Sequence, residues 1–264
     1  MKKLNILLIG GTKDASNITQ HIKRNYDSHI LTTTTTEYGS KLAIESGSDD
    51  TIAKPLLKEE FIELIENNNF NLLIDATHPY AAHITQTSVD LSNLFNIAYI
   101  RFERPPSNLE NVDTSRVHEV NSLDEAGKLI AKDFTKGNIL HLAGANTMES
   151  ILKYVDVGRF YARILKVPKS LEKCELLKIP KEHIIPMKGT STLKENIKII
   201  EETHASVIIT KESGDIGGVI NKIDAANFKN IDVIMLKRPK IKNLNKKDII
   251  SNLEQLDEKI NSYF

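Results

Sequence analysis

Three residues with chemically active side chains stand close together in "NLLIDATHPYAAHIT", residues 71–85. Asp75, Thr77 and His78 directly follow an apolar run that is typical of a buried strand. An imidazole titrates near neutral pH, so His78 can donate a proton or a hydrogen bond to a ligand there. The alternative is a turn in which Thr77 caps a helix with Pro79 in its first turn. We take His78 as the candidate catalytic residue and Thr77 as a candidate cofactor contact.

A second candidate lies in "LLIGGTKDAS", where an apolar run meets Gly10, Gly11 and Thr12 before a helical segment. Glycines let the backbone approach a phosphate, whose charge is favoured at a helix N-terminus. The dinucleotide fingerprint G-x-G-x-x-G is absent, so a plain tight turn remains an equal alternative. We name these three residues as candidate cofactor contacts.

The segment "TTTTTEYGSKL" follows the second apolar run, where dinucleotide-binding folds place the residue that meets the coenzyme ribose. An acid there favours NAD, whereas a small or basic residue accommodates the extra phosphate of NADP. Thr35 is small and Glu37 comes slightly late. The pattern therefore makes Thr35 a candidate cofactor contact without choosing between NADH and NADPH.

Two further segments carry cations after apolar runs. "RFERPP" contains Arg101 and Arg104, whose guanidinium groups suit carboxylates; the alternative is a salt-bridged linker. "IITKESGDIGGVINKIDAA" contains Lys211, Ser213 and Lys222 beside a glycine pair that opens a helix, which favours anion binding. Here the alternative is a solvated loop.

Composition and spacing exclude several classes of protein. Lysine plus arginine equals aspartate plus glutamate at 35 each among 264 residues, so no global basic field for nucleic acid exists. The single cysteine, Cys174, excludes a disulfide framework and fits a reducing cytoplasm. His78 and His83 are five apart and diverge around a helix, so we expect no metal site. No apolar run approaches the ~20 residues of a membrane span, and we expect a soluble cytoplasmic protein.

Short apolar runs alternate with helix-like segments, which predicts an α/β fold with parallel sheets and crossover helices. The stretch "RFERPPSNLENVDTS" is rich in proline, asparagine and serine and indicates a boundary. We predict two Rossmann-like, doubly wound domains, residues 1–105 and 106–264, facing a central cleft. We detect no internal sequence repeat.

The ordered set "ILLIGGTKDAS", "TTTTEYGSKL", "LLIDATHPYAAHIT", "YIRFERP", "YARIL", "TKESGDIGGVINKIDAA" and "VIMLKRP" resembles the precorrin-6A and cobalt-precorrin-6A reductase family of cobalamin biosynthesis. The resemblance spans roughly Ile6 to Pro239. It implies NADPH or NADH as the coenzyme and a tetrapyrrole as the substrate. The implied reaction is hydride transfer from the coenzyme to (cobalt-)precorrin-6A, which is reduced to (cobalt-)precorrin-6B. It also implies that the two sheets exchange their last strands, and that any cobalt belongs to the substrate.

The tetrapyrrole carries many carboxylates, so the resemblance implies local cations that meet it. We expect this substrate-binding set to be Arg101, Arg104, Arg163, Lys211, Ser213 and Lys222, with coenzyme in the first domain and tetrapyrrole in the second. "HLAGANT" departs from the family pattern, so no role is given to Ala143–Asn146, and Glu212 and Asp215 stay unassigned. Transient contacts with neighbouring pathway enzymes are an open expectation. Another nicotinamide-dependent reductase or a non-catalytic nucleotide-binding module remains the alternative.

Overall fold

The computed structural model describes residues 3–264, in which strands and helices alternate. The strands are β1 (Leu4–Ile9), β2 (Ser28–Thr34), β3 (Asp50–Ala53), β4 (Leu72–Asp75), β5 (Ala98–Phe102), β6 (Val117–Val120), β7 (Asn138–His141), β8 (Phe160–Leu165), β9 (Ile184–Met187), β10 (Ala205–Lys211), β11 (Asp232–Leu236) and β12 (Ile249–Ile250). The helices are α1 (Lys13–Asn25), α2 (Glu37–Glu45), α3 (Lys58–Asn67), α4 (Ala82–Phe95), α5 (Leu123–Asp133), α6 (Met148–Leu152), α7 (Pro168–Leu176), α8 (Leu193–Thr203), α9 (Val219–Phe228) and α10 (Leu253–Tyr263).

The chain divides into two compact units. The first contains the chain up to Pro105 together with Pro239–Phe264, and the second contains Pro106–Arg238. Within the described residues each unit has one six-stranded sheet, in which all neighbouring strands are parallel. The predicted fold class of two parallel α/β sheets is confirmed.

The sheet of the first unit has the strand order β3-β2-β1-β4-β5-β12. Side chains alternate between its faces, so the apolar strands supply two cores. Leu8 and Ile74 pack on one face with α1 and α10, whereas Leu7 and Leu73 pack on the other with α3 and α4. Each fully buried side chain of this kind contributes roughly 1.5–3 kcal/mol to folding.

The sheet of the second unit has the order β9-β8-β7-β10-β11-β6. One of its faces packs on α8 and α9, with Ile208, Val219 and Ile223 at the centre of that core. Two of its helices begin at side-chain caps: Ser122 accepts a hydrogen bond from Glu125 N to cap α5, and Thr192 forms a capping box with Glu195 on α8.

The two sheets share one strand order. When strands are counted from β1 in the first unit and from β7 in the second, five strands of each sheet run 3-2-1-4-5. The sixth strand of each sheet lies beyond the fifth. In the first unit it is β12, which comes from the end of the chain, and in the second it is β6, which precedes β7 in the sequence. This structural repeat carries no repeat that is visible in the sequence, because apolar strands of different composition satisfy the same burial.

The predicted extent of the second domain, 106–264, is corrected at its end. Residues from Pro239 belong to the first unit, because Ile249 pairs with Arg101 of β5 and Glu103 N donates to Ile250 O at 2.8 Å. Leu256 and Ile260 of α10 are buried in the same core.

Candidate functional site

A pocket of about 560 Å³ opens in the first unit at the carboxyl ends of β1, β2 and β4. This volume lies in the range of roughly 300–1,000 Å³ that is usual for small-molecule sites. In a doubly wound sheet this is the switch point, where ligands bind. All six candidate cofactor and catalytic residues line it: Gly10, Gly11, Thr12, Thr35, Thr77 and His78.

The two glycines allow the loops around the pocket to pack closely. Gly10 has φ +145°, and a Cβ there would lie 2.9 Å from Ala76 O. A Cβ on Gly11 would lie 3.3 Å from Gly39 Cα. Thr12 joins the same contact, because its hydroxyl donates to Ala76 O at 3.1 Å and accepts from Ala15 N as the cap of α1. The glycines therefore fix the pocket wall as well as exposing backbone to a ligand.

The end of β2 forms the other side of the pocket. Thr36 caps α2 by accepting from Gly39 N, and Thr34 donates to Thr36 O, which leaves the exposed Thr35 at the pocket. Lys54, which the sequence analysis missed, also lines the pocket and pairs with Glu60. No aspartate or glutamate is among the described residues that line it.

Asp75 is the centre of a buried hydrogen-bond network behind the pocket. Its Oδ1 accepts from Thr77 N at 2.9 Å, Thr77 Oγ1 at 2.6 Å and an Arg101 guanidinium nitrogen at 2.7 Å. Its Oδ2 accepts from the Tyr99 hydroxyl at 3.3 Å. Burial first, and then the charge of Asp75, raises the pKa of Tyr99 far above its usual value. The network fixes the backbone and hydroxyl of Thr77.

Arg101 does not have the predicted role of a substrate contact. Its side chain is 1% exposed and is held by Asp75, Thr77 and Glu103. Its main partner, Asp75, lies on the neighbouring strand, because Asp75 of β4 and Arg101 of β5 are directly opposite in the sheet. We therefore correct its role to a positioning residue for the loop after β4.

His78 is exposed and lines the pocket. Its Nδ1 accepts a hydrogen bond from Tyr80 N at 3.3 Å, which places the proton of a neutral ring on Nε2. Helix α4 begins only at Ala82, and its cap residue Ala81 makes no side-chain hydrogen bond. The interpretation of Thr77 as a helix cap is therefore wrong, and an irregular loop presents His78.

The remaining predicted cations lie in different surroundings. Arg104 Nε donates to Asp14 Oδ2 at 2.8 Å, in the first turn of α1, with about a quarter of each side chain exposed. In the second unit, burial of Lys222 on α9 lowers its pKa, and Arg163 on β8 is close enough for its charge to act in the same direction. Lys222 is 5% exposed and donates to Gly217 O at 2.9 Å, so it is a nearly buried cation.

Lys211 and Ser213 are separated from that pair. Alternation along β10 places Lys211 with Ile209, on the face opposite to Ile208 and its core. Burial lowers the pKa of the Lys211 amine. Ser213 lies against Gly217, where an added Cβ would overlap its hydroxyl, and so belongs to a tight turn.

His141, at the end of β7, is a buried titratable residue that the sequence analysis missed. Its Nε2 lies 2.9 Å from Thr147 Oγ1, and burial lowers its pKa to about 4, with the charge of Lys211 acting in the same direction. The detectable signal was a polar residue ending an otherwise apolar strand in "NILHLAG".

These features define a doubly wound α/β protein with a pocket at the switch point of its first sheet. The family model for "Precorrin-6x reductase CbiJ/CobK" matches residues 5–261, and the chain belongs to that family. The identification of the family from sequence motifs is thereby confirmed.

The relatives that the chain resembles are named cobalt-precorrin-6A reductase or precorrin-6A reductase. The chain is 34% identical to the cobalt-precorrin-6A reductase of Methanothermobacter thermautotrophicus, over 97% of this chain and 83% of the relative. It is 36% identical to the cobalt-precorrin-6A reductase of Methanocaldococcus jannaschii, over 90% of this chain and 92% of the relative. The solved structure titled "CobK precorrin-6A reductase" matches with a TM-score of 0.73 and 17% identity over 98% of this chain and 97% of that chain, which supports the fold.

Among residues 3–264, no helix combines the length and the apolar character that a membrane span requires. No group of three or more His, Cys, Asp or Glu side chains there is arranged to hold a metal ion.

Proposed function

We propose that this chain reduces the cobalt-precorrin-6A macrocycle to cobalt-precorrin-6B in cobalamin biosynthesis, with a nicotinamide coenzyme in the first unit and the tetrapyrrole held by the second. The observation that carries the proposal is the pocket at the carboxyl ends of β1, β2 and β4, in a chain of the precorrin-6x reductase family. The buried free thiol of Cys174 supports a reducing cytoplasm as the compartment.

The residues of the pocket fit such a coenzyme. Ile9, Phe61 and Ile84 provide apolar walls for flat rings, and the hydroxyls of Thr12 and Thr35 lie at strand ends beside helix N-termini. A lining without carboxylates among the described residues does not repel phosphates. When bound, the nicotinamide ring supplies a hydride. The protein contributes orientation, charge and the exclusion of water.

The test is an anaerobic assay of coenzyme oxidation with cobalt-precorrin-6A and with precorrin-6A, each with NADH and with NADPH. We expect coenzyme consumption that depends on the tetrapyrrole. If the coenzyme binds but is not consumed, the result would instead support a regulatory module. If the coenzyme is consumed with another acceptor but with neither tetrapyrrole, the result would support a different reductase. The pairing that turns over fastest identifies substrate and coenzyme.

We propose that His78 Nε2–H donates a hydrogen bond to the coenzyme. The bond from Tyr80 N to Nδ1 supports this role, because a doubly protonated ring would lose it. His78→Ala should weaken coenzyme binding about 3–10-fold, the effect of one net hydrogen bond of roughly 1 kcal/mol. His78→Gln keeps a donor and should retain turnover within about tenfold. A loss of ~10²–10⁴-fold in turnover with unchanged coenzyme affinity in His78→Gln would make His78 the general acid.

We propose that Thr35 lies beside the coenzyme ribose. Thr35→Asp should raise the ratio of the NADPH to the NADH dissociation constant by about tenfold or more. A new carboxylate repels a 2′-phosphate by ~1–2 kcal/mol at a partly exposed site, after discounting the ~4 kcal/mol of a close pair at an effective dielectric of 20. Fluorescence titration measures both constants. Thr114→Asp, at an exposed position of the second unit, is the matched control, and an unchanged ratio in Thr35→Asp would remove Thr35 from the ribose site.

A further inference from the structure

Two cations in the second unit lie close together without a carboxylate partner. Arg163 is half-buried and donates to Gly189 O. Lys222 is nearly fully buried, and burial first, and then the charge of Arg163, lowers its pKa to about 8. Neither forms a salt bridge with any carboxylate of residues 3–264. Buried like charges without compensation are unfavourable, so the free protein holds this pair at a cost.

One carboxylate acts on Arg163 through its charge but is already engaged elsewhere. Glu195 acts on Arg163 through its charge and opposes the lowering of the Arg163 pKa by burial. However, Glu195 Oε2 accepts from Thr192 N at 2.8 Å and from Thr192 Oγ1 at 2.9 Å, as part of the capping box of α8. It therefore serves the helix and does not neutralise the two cations.

Buried polar atoms without hydrogen-bond partners mark the same place. Among the described side chains, these include Arg163 Nε, Ser191 Oγ and Thr210 Oγ1. Buried polar groups normally have a partner, and each one without costs about 1–3 kcal/mol. A ligand with several acceptor oxygens could accept hydrogen bonds from the guanidinium nitrogen of Arg163 and from the hydroxyls of Ser191 and Thr210.

The fold brings these groups to one face of the sheet. Tyr161 and Ile208 pack in the core beneath α8 and α9, and Arg163 and Thr210 follow them by two residues on the same strands. The loop with Ser191 lies on the first turn of α9, where Asn221 Nδ2 donates to Ser191 O at 3.4 Å. Lys222 extends from that same turn of α9.

We propose that Arg163, Ser191 and Lys222 form an anion site that binds a carboxylate or phosphate group, with Thr210 beside it. An oxyanion would neutralise the two cations, accept from Arg163 Nε and Ser191 Oγ, and explain why neither cation has a carboxylate partner of its own. The anion site itself does not depend on the proposed function. Naming its ligand as a substrate carboxylate or a coenzyme phosphate rests on the proposed function.

The direct test uses inorganic phosphate and citrate as probes on the full chain, against chloride at matched ionic strength. We expect each oxyanion to raise the unfolding midpoint of the wild-type protein by at least about 2 °C at concentrations well above its dissociation constant. Lys222→Met and Arg163→Gln should abolish this shift. Lys198→Met, an exposed lysine on α8, should retain it. No shift in the wild type, or an equal shift in the two site variants, would overturn the proposal.

Lys222→Met also separates a ligand site from a structural role. If Lys222 serves mainly to hold Gly217 O, its removal should lower the midpoint in chloride. If it is an uncompensated cation awaiting a ligand, removal should leave the midpoint in chloride unchanged or raised, which is the result we expect. A lowered midpoint in chloride together with a retained oxyanion shift would contradict the site.

Affinity measurements distinguish the source of the anion. A substrate carboxylate predicts an increase of about tenfold or more in the Michaelis constant for cobalt-precorrin-6A in both variants, at unchanged coenzyme affinity. A coenzyme phosphate predicts the increase in the coenzyme dissociation constant instead. If both constants stay at their wild-type values, the site has no part in this reaction and the ligand assignment is overturned. A wild-type chain without reductase activity but with the oxyanion shift would overturn the proposed function and leave the anion site in place.

Discussion

Replacing Arg101 by methionine is expected to lower the free energy of unfolding by about 3–5 kcal/mol, because the variant leaves Asp75 ionised and buried without its charge partner. Asp75 is fully buried and Arg101 is 1% exposed, so water cannot compensate for the loss. The loop that carries Thr77 and His78 depends on the same carboxylate. We therefore also expect weaker coenzyme binding in the folded fraction. Urea denaturation measures the first effect.

Arg104→Met is the matched control for this prediction. Its ion pair with Asp14 is about one-quarter exposed, and exposed pairs contribute only ~0–1 kcal/mol. The double variant Arg101→Met with Asp75→Leu removes both charges and should recover part of the stability lost in Arg101→Met. If Arg101→Met were no less stable than Arg104→Met, the Asp75 network would not be what fixes this loop.

The case of Arg101 shows where the sequence is informative and where it is not. The pattern "RFERPP" correctly indicates a guanidinium group that meets a carboxylate. The partner is Asp75, and finding it requires the register of β4 against β5, which no local pattern contains. A residue inside a short apolar strand is also more often buried than exposed. The position of Arg101 in the strand therefore predicted its burial better than its residue type did.

Strand alternation explains a second difference between sequence and structure. Lys211 and Lys222 lie in one segment of the sequence, and the sequence pattern predicted that they would belong to one anion-binding site. The last residue of β10 lies on one face of the sheet, whereas α9 covers the other. Lys222 is therefore grouped with Arg163, from a strand that is distant in the sequence. The type of each residue was predictable, but the grouping depended on sheet order.

The end of the chain was the least predictable part of the fold. Strand β12 has only two residues, too few to show a periodicity, and its pairing with β5 joins positions about 150 residues apart. By contrast, the pocket-lining loops after β1, β2 and β4 were all identified. They follow long apolar runs, and in a parallel sheet the carboxyl ends of such strands meet at one edge.

Lys222 gives the second large expected effect, a dependence of stability on pH. Its pKa is about 8 in the folded protein and 10.5 in the unfolded chain. Between these values the unfolded chain binds more protons, so stability rises with pH. Below pH 8 the folded protein carries the full penalty of the buried charge. The whole gain is at most roughly 3.5 kcal/mol, because the two pKa values differ by about 2.5 and each unit corresponds to about 1.36 kcal/mol.

The charged groups near Lys222 do not alter this direction. Arg163 stays charged across the range and contributes to the lowered pKa, and Glu195 is already ionised. Other groups titrate at high pH, including Tyr26, whose pKa burial and Asp257 raise to about 12. The difference between the wild type and Lys222→Met removes their contribution, because both proteins share them.

We therefore expect the unfolding free energy of the wild type to approach that of Lys222→Met as the pH rises from 8 to 10.5, measured by urea denaturation in chloride buffers. Citrate or phosphate should reduce the pH dependence of the wild type, because a bound oxyanion stabilises the charged amine and raises its pKa. Neither anion should change the curve of Lys222→Met in this way. Parallel curves for the two proteins in chloride would mean that Lys222 is not a charge held at a cost, and the anion site would lose its physical basis.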